Sequence, residues 1–132
     1  MRKEKEIKIE EGRDAGKVFK ITEMPAFQQD SWATRMLVAM GSKLTGGLAS
    51  LATISLQDIA SSFFKMDYKV SEPLLQELLD CCSYKKEGTL VVLKKEMVDS
   101  IIEDWQTLQT LRMEALALNF GFFEEGDGLD TK

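Results

Sequence analysis

The chain has 132 residues, 44% of them hydrophobic and 30% charged, which suits one folded domain and argues against global disorder. Its net charge is −5, from 22 acidic against 17 basic side chains, and with no basic stripe to offset this, nucleic acid is not expected as a partner. There is no histidine, which removes the commonest general base, the commonest activator of a Ser or Cys nucleophile and the commonest transition-metal ligand, so neither an enzyme nor a cofactor is expected.

At the N-terminus, Ile7 and Ile9 alternate with charged residues, as do Phe19 and Ile21 with Lys20 and Thr22. The turn formers Gly12, Asp14 and Gly16 lie between them, so a β-hairpin is predicted over 7–22. The start of the chain is too charged for a secretory signal, and no apolar run reaches the ~20 residues that cross a bilayer. Pro25 then opens a helix carrying Phe27, Trp32, Ala33, Met36, Leu37 and Met40. Thr45-Gly46-Gly47 interrupts the chain, and the pattern over 42–54 gives no clear element.

Ser55 and Asp58 have the spacing of a capping box before Ile59, Ala60, Phe63 and Phe64, which predicts a short helix. Ser71-Glu72-Pro73 is read as the start of the next, with Leu74, Leu75, Leu78, Leu79 and Cys82 on its apolar side. Lys85 to Gly88 reads as a turn, and Thr89 to Leu93 as a β-branched run compatible with a strand. From Lys95 to Phe120 a helical period runs through Val98, Ile101, Ile102, Trp105, Leu108, Leu111, Ala115, Leu116 and Leu118, giving one helix of about seven turns. The expected fold is α+β and mainly α: the hairpin, then about four helices over 25–123, the last one long. The whole is read as one domain over 1–123, followed by a flexible acidic tail over 124–132.

The stretches that suggest chemistry have plainer explanations. Gly12 to Lys17 has three residues between its glycines and Val18 after the lysine, whereas a phosphate loop needs four and a Ser or Thr. Glu124, Glu125, Asp127 and Asp130 lack the ligand order of a calcium loop. Adjacent Cys81 and Cys82 suit neither a disulfide with each other nor a zinc site, and they read as apolar filling at the end of a helix. What remains is apolar surplus: seven Met, seven Phe and two Trp, with Leu108, Leu111, Met113, Leu116, Leu118 and Phe120 spread around more than one face of the last helix. Either that helix is surrounded by the fold, or part of it is a surface for another protein.

Two stretches resemble the tail assembly chaperones of tailed phages and of prophages in Gram-negative bacteria. The first is Lys17 to Leu37, KVFKITEMPAFQQDSWATRML, with Arg13 to Lys17 before it and Met24, Pro25, Trp32 and Arg35 as its signature. The second is Ile102 to Phe123, IEDWQTLQTLRMEALALNFGFF, marked by Trp105 and Gly121. The resemblance implies a protein without catalysis or cofactor in the host cytoplasm. It would bind the tape-measure protein, and in some settings the tail-tube protein, during assembly, and be missing from the finished virion. A minor structural or connector protein of the tail is the alternative, and homo-oligomerisation is left open. A holdase for a long apolar client needs adaptable greasy surface, so Met113, Leu116, Phe120, Phe122 and Phe123 are the candidate contacts.

Overall fold

The structure is a computed structural model that describes residues 2–40 and 56–120. Four strands, β1 (Glu4–Lys8), β2 (Val18–Thr22), β3 (Cys82–Lys86) and β4 (Thr89–Val92), form one antiparallel sheet in the order β1-β2-β3-β4. The described residues also form five helices, α1 (Ala26–Met40), α2 (Leu56–Ser62), α3 (Tyr68–Leu79), α4 (Val98–Ile101) and α5 (Trp105–Asn119); α5 packs on β2, α2 and α3 on α5, and α1 on α3.

The strand alternation visible in the sequence sets the two faces of the sheet. Ile7 pairs with Phe19, Phe19 with Tyr84, and Ile21 with Cys82; Phe19, Ile21 and Cys82 are fully buried. The opposite face carries Glu4, Glu6, Lys20 and Lys85, joined across strands by Lys20–Glu4 at 3.0 Å and Lys85–Glu6 at 2.6 Å. Exposed pairs of this kind add little stability; they keep the outer face wet. Glu87 and Gly88, both left-handed with φ of 52° and 85°, make the two-residue turn that joins β3 to β4.

Three expectations are corrected. The chain is not mainly helical with a lone hairpin: Cys82 leaves the helical run and enters β3, which zips onto β2 and turns the hairpin into half of a four-stranded sheet. Nor is there a long C-terminal helix. The segment from Lys95 to Phe120 is divided into α4 and α5 by extended backbone at Ile102 (ψ 126°) and Asp104 (ψ 123°). The apolar period survives the break because Ile102 is itself buried, so a sequence pattern could not see it. Finally, α3 begins at Tyr68, where Asp67 accepts the Lys69 N–H at 3.1 Å. Pro73 therefore lies inside the helix, where its missing N–H costs one backbone bond. The reading of 42–54 falls outside the described residues, as does the acidic tail.

The core is drawn from both layers. Trp32 and Met36 of α1, Leu74 and Leu78 of α3, and Leu111 and Leu116 of α5 are buried to within about 1% of complete exclusion, together with Ile59 and Leu93.

Candidate functional site

Helix α5 is held at both ends by polar clusters. At its start, the fully buried Asp14 of the β1–β2 loop accepts the backbone N–H of Glu103 (2.9 Å) and Asp104 (3.0 Å), the Thr107 hydroxyl (2.7 Å) and the Lys17 ammonium (2.8 Å). Lys17 also donates to the Ile101 carbonyl, so the loop clamps the last turn of α4 and the first of α5 together. Burial pushes the Asp14 carboxyl up, but its hydrogen bonds from Lys17, Glu103, Thr107 and Asp104 outweigh that and hold its pKa at about 2. The α5 N-cap is Asp104, which accepts from Gln106 N–H at 3.0 Å. Gly12 is needed beside it: its φ is +87°, and a Cβ there would lie 2.6 Å from Asp104 Oδ2.

At the other end, Asn119 Oδ1 accepts the Met24 N–H at 2.7 Å and a Gln29 Nε2–H at 3.1 Å, while its Nδ2 donates to the Ala115 carbonyl at 2.8 Å. This ties α5 to the entrance of α1. Trp32 donates from Nε1 to the Leu74 carbonyl (3.0 Å) and stacks on Phe120 with centroids 5.2 Å apart. Arg35 reaches α3 through a two-pronged contact with Glu77, at 2.6 and 2.8 Å. Met24 is buried, Pro25 precedes α1, and Arg35 bridges two helices, so these residues of the sequence signature serve the fold. Trp105, counted in the apolar stripe, is 67% exposed on the first turn of α5. Gly121 lies outside the described residues.

The middle of α5 differs. Between α2, α3 and α5 lies a groove of about 210 Å³, lined by Ala60, Phe63, Phe64, Tyr68, Leu75, Leu78, Gln109, Arg112 and Met113, among others. Phe64 is 88% exposed and Tyr68 69%, so two aromatic side chains of the groove's lining stand largely in solvent. A larger cleft of about 530 Å³ between β1 and α5 carries Glu10, Glu11, Asp104 and Glu114; of these, Glu114 is engaged by Lys5 at 2.7 Å and Asp104 caps α5.

Of the five contact residues expected from sequence, Met113 lines the groove. Leu116 and Phe120 are core, at 0% and 6% exposure, so a partner does not meet them on this surface; all-round hydrophobicity here meant a surrounded helix end. Phe122 and Phe123 lie outside the described residues. Sequence reasoning missed Phe64, Tyr68 and Arg112 as site residues. Neighbouring positions beside a helix point in different directions, so the doublet Phe63-Phe64 was a usable sign that one ring must face out.

Cys81 directly follows the C-cap of α3, Asp80, and the fully buried Cys82 opens β3. Burial raises the Cys81 thiol to about 11 and Cys82 higher still, so neither forms a nucleophilic thiolate near neutral pH. No group of three or more His, Cys, Asp or Glu could hold a metal among the described residues. No helix among them is long and apolar enough to cross a membrane.

Buried polar clusters fasten both ends of α5, and an apolar groove lined by the exposed Phe64 and Tyr68 lies beside its middle. The chain belongs to the phage tail assembly chaperones: the family described as phage tail assembly chaperone protein, TAC, matches residues 15–129. No curated protein and no solved structure matches it.

Proposed function

We propose that this chaperone binds the tape-measure protein of its phage in the host cytoplasm, keeps it soluble while the tail is built, and leaves before the virion is complete. The observation that carries the reading is the groove between α2, α3 and α5, with Phe64 at its mouth and Met113 in its wall. A thioether and two aromatic rings give adaptable apolar contact area. The groove has room for an aromatic or a pair of aliphatic side chains from an amphipathic client helix, the helix-in-groove mode of recognition. The net charge of −5 helps keep such a complex in solution.

Co-expression tests the reading. The tape-measure protein of the same phage should move from the pellet to the soluble fraction with the wild-type chain, and remain in the pellet with Phe64→Ala. Solubility that does not depend on the chaperone would refute the proposal. Mass spectrometry of purified virions should lack the chain; its presence in stoichiometric amount would favour a structural component of the tail instead.

A further inference from the structure

Among the described residues, one buried side-chain polar atom has no hydrogen-bond partner: Arg112 Nε. Such an atom is uncommon in a native fold, since leaving a buried donor unmade costs its full desolvation. Arg112 sits in the middle of α5 on the wall shared by the apolar groove and a neighbouring cleft of about 500 Å³. Two acidic residues, Glu72 and Asp99, line that cleft with it; Glu72 is taken by Lys95 at 3.3 Å, and neither forms an ion pair with Arg112 among the described residues. The groove it lines also carries Tyr68, Ser71, Leu75, Gln109 and Met113, none of them a counter-ion, and burial pushes its pKa down, though a guanidinium keeps its charge in any protein.

Nε is closed to an outside ligand, but the two terminal nitrogens are not among the buried unpartnered atoms; that end of the guanidinium, with no internal ion pair, is complementary to an anion brought from outside. A guanidinium matches the planar geometry of a carboxylate and can bind it with two parallel hydrogen bonds. We infer that Arg112 is the specificity residue of the groove, and that the docking segment carries an Asp or Glu next to its apolar anchors. On a helical segment, the acidic residue stands three or four positions from the anchor that enters the groove, since those positions share a face. This rests on the client-binding reading above and adds to it: apolar area alone would accept any greasy helix, whereas the unpaired guanidinium rejects those that leave it without a partner.

The test compares three chains: wild type, Arg112→Met and Phe64→Ala. Each is measured for thermal stability alone and for affinity towards the tape-measure protein of the same phage at low and high salt. Arg112→Met should melt no lower than wild type, because it removes an unmade hydrogen bond and fills the same space. It should bind the client roughly 30-fold more weakly, as loss of a buried charge pair does, and lose most of the salt dependence. Arg112→Lys, which keeps the charge without the fork, should recover part of the affinity. If Phe64→Ala weakens binding while Arg112→Met binds like wild type with the same salt dependence, the groove reading stands and the carboxylate inference is overturned. If neither substitution changes affinity, the groove itself is not the site and both fall. An Arg112→Met chain that melts well below wild type would show that the guanidinium serves the fold, which also overturns the inference.

Discussion

The two ends of α5 and its middle are built on opposite rules. At the ends, the buried polar groups are matched: Asp14 receives four hydrogen bonds, and Asn119 both accepts and donates across three segments. In the middle, Arg112 Nε has no acceptor, and Phe64 and Tyr68 stand open at the groove. The difference separates residues that fix the helix from residues left available on it. The family signature belongs largely to the first kind: Met24, Trp32 and Arg35 fasten the fold.

Substitutions can break this contrast at either place. The largest effect is expected from Asp14→Ala, which strands two backbone N–H groups, the Thr107 hydroxyl and the Lys17 charge. A loss of about 3–5 kcal/mol is expected in urea denaturation. Asn119→Ala should cost about 2–3 kcal/mol in the same assay, because Met24 N–H and Gln29 lose their acceptor in a buried place. Next comes acid. The Asp14 pKa is lowered to about 2 in the fold from an ordinary 3.8, so its contribution is complete above pH 4 and is lost as pH falls through 2. That is about 2 kcal/mol, visible as a drop in stability between about pH 4 and pH 2 that Asp14→Asn flattens. Gly12→Ala should cost about 1–2 kcal/mol, from the left-handed backbone and the contact with Asp104. Phe64→Ala should change stability by less than about 0.5 kcal/mol, as exposed substitutions do, while abolishing client solubilisation. If stability fell at the groove and binding at the ends, the contrast would be reversed.

Much of the N-terminal half was legible. Alternation at Ile7, Phe19 and Ile21 marked strands, Pro25 marked the entrance to α1, and of that helix's apolar residues Trp32, Ala33 and Met36 are buried whereas Phe27 is exposed. The second half was harder because its decisive interactions are long-range. The local sign in Ile102-Glu103-Asp104 is Asp104, an N-cap residue type, and the unbroken apolar period masks it. The helix stops there because Asp14, some 90 positions earlier in the chain, takes the N–H groups of Glu103 and Asp104. β3 was hidden because Cys82-Ser83-Tyr84 continues a helical apolar pattern and becomes a strand only by pairing with β2. Two of the candidate contacts, Leu116 and Phe120, are core for a related reason. Leu116 and Phe120 look available on a solitary helix, but α5 is covered near its C-terminal end by Trp32 and its neighbours.

The most direct test of the account places a photo-cross-linking amino acid at position 64, at the mouth of the groove, or at position 20, on the charged outer face of the sheet. Each chain is irradiated in cells that also make the tape-measure protein. A covalent adduct with the tape-measure protein from position 64 and none from position 20 is the expected result. Adducts from position 20 with none from position 64 would contradict it.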